Sequence, residues 1–219
     1  MKLTFLCFNL IIFATAHAHL STVPGVIYDT SGNNLHRGIP YYILPLLHGS
    51  GGGLILSGNT TDPSCPMINI ITQEPFEING GIPFTFNPIV LDENLIRISY
   101  PTSIESAVVT PCGGSNIWKV STAKSDIGDV AGLQIVTTGG EFNTPESCFQ
   151  IVEVDMMPEL RSYQIQHCPF KCGSSSTDLN CYNVGVKLDA AGKRCVAPSN
   201  ALFPVVFVGS VGKQSTFMK

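Results

Sequence analysis

Charge is what this sequence has least of. Asp, Glu, Lys and Arg make up 13% of it, about half the ~25% of an ordinary globular domain. So little charge, beside 44% hydrophobic residues, excludes a disordered chain and a coiled coil. The 12 Lys+Arg do not cluster and the formal net charge is −4, so no phosphate-binding surface for nucleic acid is expected. Tryptophan occurs once, at Trp118, too rarely for the Gln-x-Trp repeats of a sugar-binding barrel. No Gly-x-Ser-x-Gly elbow, no Gly-Lys-Ser/Thr phosphate loop and no His-x-x-x-His pair occurs, which argues against an enzyme, a cofactor and a metal site. Nor does any apolar run reach the ~20 residues a membrane span needs.

What is present begins with an address. Met1-Lys2 opens a short apolar run from Leu3 to Ala14, and Ala16-His17-Ala18 follows it. A basic start, an apolar stretch and small-x-small residues make a secretory signal, here residues 1–18. The expected mature chain, 19–219, carries eleven basic and sixteen acidic residues, a charge of −5. It is long enough to bury a core as one domain. Secretion to the cell exterior or a vacuole makes Asn59-Thr60-Thr61 a glycosylation site at Asn59.

Secretion also changes the cysteines. Cys7 leaves with the signal, and Cys65, Cys112, Cys148, Cys168, Cys172, Cys181 and Cys195 remain. In an oxidising compartment they are expected as up to three disulfides with one thiol left over. Cys168-Pro-Phe-Lys-Cys172 has metal-like spacing, but no second pair completes it.

Short β-branched and aromatic runs alternate with Gly, Pro, Asn, Asp and Ser clusters, which reads as all-β. Strands are expected at 26–28, 41–44, 54–56, 68–72, 84–86, 95–98 and 107–109. Others follow at 117–120, 133–137, 148–154, 163–167, 184–188, 194–196 and 205–208. Three blocks echo one another. Tyr41-Tyr42-Ile43-Leu44 leads to Gly53-Leu54-Ile55-Leu56, Ile117-Trp118-Lys119-Val120 to Gly132-Leu133-Gln134-Ile135, and Tyr163-Gln164-Ile165-Gln166 to Gly185-Val186-Lys187-Leu188. Such repetition suggests a closed barrel of pseudo-threefold symmetry. Its spacing is uneven, 76 residues from Tyr42 to Trp118 and 45 from Trp118 to Tyr163.

The stretch Ile27-Tyr28-Asp29-Thr30-Ser31-Gly32-Asn33-Asn34-Leu35, then Tyr41-Tyr42-Ile43, resembles the N-terminal signature of the Kunitz soybean-trypsin-inhibitor family, which includes miraculin-like proteins. Cys65-Pro66, Cys112 with Ile117-Trp118-Lys119-Val120, and Cys168-Pro169 to Cys181 with Val184-Gly185-Val186 follow in that family's order. The resemblance implies a single β-trefoil of about twelve strands, monomeric and not an enzyme, with disulfides Cys65–Cys112 and Cys168–Cys181. Those bridges would contribute ~4 and ~3 kcal/mol on the chain-entropy picture. Cys172 is left to pair with Cys148 or Cys195.

The resemblance further implies an endopeptidase as partner, blocked by an exposed loop that the barrel holds in a substrate-like shape. That loop falls at 87–94, with Pro88, Ile89, Val90, Leu91 and Asp92 as its contact residues. It contains no Lys or Arg, so a trypsin-like pocket is not served. Val90 or Leu91 suits the apolar pockets of chymotrypsin-, elastase- or subtilisin-like enzymes, and Asp92 with Glu93 a basic rim on the enzyme. In inhibitory relatives an asparagine braces the loop from inside, and Arg37 stands at that place here. A guanidinium has donors and no acceptor, so it cannot copy an amide. Arg37, Asn33 and Asn34 are the candidates for loop support, Asn33 or Asn34 as substitutes for the amide. With no substitute the loop is slacker and inhibition by the standard route weaker. Two alternatives remain: a non-inhibitory miraculin-like defence or storage protein, and a cysteine-protease inhibitor acting through another loop. His48-Gly49-Ser50-Gly51-Gly52-Gly53 reads as a flexible turn, and His167, Met156 and Met157 as structural residues.

Overall fold

The computed structural model describes residues 24–58, 68–90, 92–108, 114–121, 134–157, 159–173 and 179–210. Their strands are β1 (Tyr41–Pro45), β2 (Leu54–Gly58), β3 (Asn69–Gln73), β4 (Pro83–Pro88), β5 (Thr102–Ser106) and β6 (Lys119–Val120). Then come β7 (Val136–Thr137), β8 (Phe149–Val154), β9 (Ser162–His167), β10 (Tyr182–Leu188), β11 (Arg194–Ser199) and β12 (Val205–Gly209). Six of them close a ring. β1 pairs with β4, β4 with β5, β5 with β8, β8 with β9, β9 with β12, and β12 returns to β1 over five residues from Tyr41↔Gly209 to Pro45↔Val205. The other six form the hairpins β2–β3, β6–β7 and β10–β11, with β3 touching both β7 and β11. A six-strand barrel closed by three hairpins is a β-trefoil, and closure removes the exposed sheet edges that would invite aggregation.

The repeat is more regular than the sequence echo suggested. Each unit is four strands, so β1, β5 and β9 are equivalent. Their first residues, Tyr41, Thr102 and Ser162, lie 61 and 60 residues apart. The Trp118 segment belongs to β6, the counterpart of β2, so aligning it with the Tyr41 and Tyr163 strands put the middle block one strand out of phase. The strand that was missed is β5, Thr-Ser-Ile-Glu-Ser. Thr102, Ser103 and Ser106 are buried although hydroxyl-bearing, so it carries no apolar run to read. The expected strand at 107–109 fell on the residues just after it, where Val108 is exposed. Expected strands at 26–28 and 95–98 exist only as bridges, Val26↔Arg97, Tyr28↔Asn34 and His36↔Leu95.

Buried residues of the ring strands build the core. In β4 every second residue faces in, placing Phe84, Phe86 and Pro88 inside. Trp118 meets Phe84 and Phe149 edge-on at centroid distances of 5.1 and 6.0 Å. Phe207 packs against Phe86 at 5.2 Å and Tyr163 at 5.5 Å. Each such ring contributes roughly 1.5–3 kcal/mol by burial, plus a smaller edge-to-face term. Ile27, Leu35 and Ile96 join this core from segments 24–37 and 94–98. The second lies within the β4–β5 connection, and the two are bonded through Ile27 N–H to Ile96 O (2.9 Å), Ile96 N–H to Leu35 O (3.0 Å) and Ile98 N–H to Gly25 O (2.8 Å).

Disulfides Cys148–Cys172 and Cys168–Cys181 tie the 3-10 turn Pro169–Cys172 to β8 and to the start of β10. Cys172 therefore takes Cys148, and Cys195 is a buried free thiol. Its Sγ lies 4.0 Å from Asp189 Oδ2, and burial with that carboxylate pushes the thiol pKa up. Cys65, Cys112, Asn59 and the expected signal 1–18 lie outside the described residues. His167 is structural: its ring is buried, Nε2 faces Pro145 O at 3.0 Å, and burial lowers its pKa. Met156 and Met157 depart from expectation, standing exposed in the β8–β9 turn rather than filling the core.

Candidate functional site

The β4–β5 connection leaves the barrel at Pro88 and returns at Thr102, which are paired across the ladder. Most of its length is fastened down. Leu95 and Arg97 bridge to the N-terminal segment, Ile96 is in the core, and Ile89 N–H bonds Pro101 O at 3.1 Å. Of the described residues at the tip, Val90, Asp92 and Asn94 stand exposed.

Arg37 braces that tip from beneath. Its backbone N–H donates to Asn94 O at 2.8 Å, and its guanidinium donates through Nη2 to Pro88 O at 3.0 Å. One residue thus holds both ends of the tip. The expectation that an arginine cannot do this is corrected by the identity of the partners: both are backbone carbonyls, so donors suffice and no acceptor is needed. A charged donor to a carbonyl is among the stronger hydrogen bonds. Asn33 and Asn34 do not take the role. Asn33 closes a turn on Asp29, its N–H donating to Oδ1 at 2.8 Å and Nδ2 to Oδ2 at 3.3 Å. Asn34 offers its carbonyl to the Tyr41 hydroxyl, which also accepts His36 N–H at 3.0 Å.

A second brace is an ion pair inside the loop. Arg97 Nε donates to Glu93 Oε2 at 2.6 Å and Nη1 donates to Pro24 O at 3.1 Å, while Glu93 Oε1 accepts Leu95 N–H at 3.0 Å. The Arg97 hydrogen bond, with help from the backbone amides, holds the Glu93 carboxyl below the usual carboxylate range. Glu93 is therefore committed within the chain rather than offered to a basic rim. The Glu93-x-x-x-Arg97 spacing was legible in the sequence, yet only the bend of the connection turns it into a clasp.

The expected contact residues separate by exposure. Pro88 is buried as the last inward residue of β4 and cannot touch a partner. Ile89 is half-buried, whereas Val90 is 46% exposed and Asp92 is exposed. Leu91 lies outside the described residues. Val90 O accepts Glu93 N–H at 3.2 Å, closing a turn with Val90 at its shoulder. Among its described residues the site is thus a short, doubly braced turn that presents the branched apolar side chain of Val90 and the carboxylate of Asp92, with no basic residue between Asn87 and Asn94 in the sequence.

Residues 27–208 match the family model for legume Kunitz proteins, described as trypsin and protease inhibitor. Miraculin of Synsepalum dulcificum is 29% identical over 216 residues, covering 94% of each chain. Among solved structures, a Kunitz-type cysteine protease inhibitor from potato superposes with a TM-score of 0.69 at 26% identity, over 86% of this chain and 98% of that one. The bifunctional alpha-amylase/subtilisin inhibitor of rice, Oryza sativa, superposes with a TM-score of 0.66 at 26% identity, over 86% of this chain and all of the other.

Proposed function

The chain belongs to the Kunitz family of trypsin and protease inhibitors, and on that premise we propose that it is a secreted inhibitor of a serine endopeptidase with an apolar specificity pocket. Chymotrypsin-, elastase- and subtilisin-like enzymes have such pockets. The observation that carries this reading is the braced tip: Arg37 on Pro88 O and Asn94 O, with Val90 exposed above it. A loop already ordered loses little conformational entropy on docking, and a contact of ~800 Å² per partner then suffices for tight binding. Val90 enters the pocket. Without a cation there, a pocket floored by an aspartate gains nothing from it. The rice relative, named for subtilisin inhibition, supports the choice of enzyme.

Titration of the mature protein against chymotrypsin, elastase, subtilisin and trypsin tests the reading. Stoichiometric inhibition of at least one of the first three, and none of trypsin, is expected. Val90→Arg should move inhibition to trypsin. Inactivity across the whole panel would falsify the proposal.

The turn from Val90 O to Glu93 N–H favours a second reading. A carbonyl engaged in a turn is not laid out as a substrate strand, and the barrel then serves as a non-inhibitory defence or storage protein, as miraculin-like relatives suggest. A folded Val90→Arg protein that leaves trypsin untouched would select it.

A further inference from the structure

The two loops joined to β4 differ in what holds them. The β3–β4 loop, which enters at Pro83, leans on the glycine run that reads as a flexible turn. Gly52 N–H bonds Glu74 O (2.8 Å), Gly53 N–H bonds Asn79 O (2.8 Å), and Glu74 N–H returns to Gly53 O (2.9 Å). The backbones lie so close that a Cβ on Gly53 would meet Gly80 O at 2.1 Å, so the run is a cradle. The β4–β5 tip depends instead on Arg37, and a brace is only as firm as its own anchorage.

That anchorage is a buried phenol. Tyr41 opens β1 and is set in the ring by its register with Phe84 on one side and Gly209 on the other. Its ring is buried, 6.4 Å from that of Phe86. The hydroxyl accepts His36 N–H at 3.0 Å and donates to Asn34 O at 3.5 Å, so one oxygen holds the backbone on both sides of the core residue Leu35. A hydroxyl does both at once, whereas a guanidinium only donates. Arg37 follows directly. His36 is bridged to Leu95, and beyond Arg37 the Gly38 N–H bonds Phe86 O at 3.2 Å. Tyr163 supplies a comparison from inside the same molecule. It stands in β9, the equivalent strand of the third repeat, is likewise buried, and its hydroxyl accepts Tyr28 N–H at 3.0 Å. Two phenols thus make the same bond to the same N-terminal segment, one beside Arg37 and the other nine residues before it.

We propose that Tyr41 is a positioning residue for the Val90 turn, its hydroxyl fixing the His36–Arg37 backbone so that the guanidinium meets Pro88 O. The inference rests on the Val90 reading and deepens it, adding a residue that touches no partner and acts through Arg37. A long arginine side chain gives up much rotamer freedom to keep one geometry. It braces a loop well only where its backbone is placed in advance. Packing alone does not place it here, because His36 is exposed and Arg37 half-buried, while Leu35 and Tyr41 lie in the core. The hydroxyl carries the position of the rigid ring to a segment that is not itself buried. Losing that bond frees the segment without opening the core, since a phenylalanine keeps the ring.

Tyr41→Phe and Tyr163→Phe test it, because each deletes one hydroxyl from one backbone amide and keeps its ring. Amide hydrogen exchange, read by nuclear magnetic resonance, comes first and needs no enzyme. In Tyr41→Phe the Arg37 and Glu93 amides should exchange about threefold to tenfold faster, and in Tyr163→Phe they should stay within about twofold of wild type. Amides of the β10–β11 hairpin should hold in both. Inhibition of the subtilisin- or chymotrypsin-like enzyme that wild type blocks should weaken by a similar factor in Tyr41→Phe alone. Added to Arg37→Met, Tyr41→Phe should cost less than it does by itself, since part of its effect passes through that guanidinium. Equal acceleration in the two phenylalanine variants would mark a merely structural hydroxyl and overturn the proposal. So would unchanged exchange in Tyr41→Phe, or fully additive losses in the double variant. A wild type that inhibits no enzyme, with exchange still faster in Tyr41→Phe alone, would sink the Val90 reading and support the assignment of Tyr41.

Discussion

The β4–β5 and β3–β4 loops leave the same strand in opposite directions and are stiffened by different means. The first is held largely by side chains: the Arg37 guanidinium on Pro88 O and the Glu93–Arg97 ion pair across the turn, beside the Arg37 backbone N–H on Asn94 O. The second is held by backbone on backbone, with glycines admitting an approach that any Cβ would block. Side-chain bracing can be removed one residue at a time while leaving the barrel intact. Backbone bracing cannot, because the glycine contact is continuous with the β2–β3 hairpin. Stiffness at the first loop is thus an adjustable property of the site, and at the second it is part of the fold.

The largest effect that would break this comparison is Gly53→Ala. A Cβ 2.1 Å from Gly80 O forces the loop away, and overpacking of this kind costs about 1–3 kcal/mol. For a chain of this size the melting temperature should fall by roughly 4–10 °C. A fall of under a degree in a thermal melt would show that the cradle yields easily.

Arg37→Met comes next and should act on function more than on stability. Loss of a charged hydrogen bond to Pro88 O removes about 1.5–3 kcal/mol of loop ordering, so inhibition should weaken by roughly tenfold to a hundredfold. The loop should also be cut faster by the enzyme it faces, as mass spectrometry of timed digests would show. Melting should shift by no more than a few degrees. Unchanged inhibition constants would move the bracing elsewhere.

The Glu93–Arg97 pair gives a pH signature. Because the Glu93 carboxyl is held below its ordinary value in the folded loop, its contribution is present above the ordinary carboxylate range. That contribution is lost as pH falls through the lowered value. Cleavage of the loop by an acid-active protease should therefore accelerate as pH drops below about 4. A Glu93→Gln protein should lose that acceleration, since Gln has no proton to gain. A parallel acceleration in both proteins would point to another group.

Asn33→Ala should do least. Its amide bonds an exposed Asp29 away from the loop, so inhibition should be unchanged and stability should fall by less than about 1 kcal/mol. A tenfold loss of inhibition would restore the asparagine to the bracing role that the Arg37 contacts deny it.

How far the sequence could be read depended on whether a residue's partner was near or far along the chain. Short β-branched and aromatic runs marked β1, β4, β8, β9 and β12, because a buried strand is built of such residues wherever it pairs. That signal could not mark β5, because Thr102, Ser103 and Ser106 are buried in it yet carry hydroxyls and make no apolar run. The 87–94 segment was legible as a turn without a cation, since that is composition. Its brace was not legible: Arg37 and Pro88 are 51 residues apart, and no local rule says that a guanidinium will find a carbonyl rather than water. The glycine run misled for the same reason. Alone it predicts freedom, and only the packing of residues 74–81 against it turns freedom into close contact.

What the sequence by itself determined is the all-β barrel, the family and a loop without a cation, because periodicity, ordered motifs and residue type are properties of the string. Tertiary structure alone decided that Cys172 pairs with Cys148, that Arg37 replaces an amide by donating to two carbonyls, and that residues 74–81 close onto the glycine run. Each depends on which distant groups closure of the six-strand ring brings within hydrogen-bonding or covalent reach. That distance is set by the barrel's geometry and by nothing adjacent in the chain.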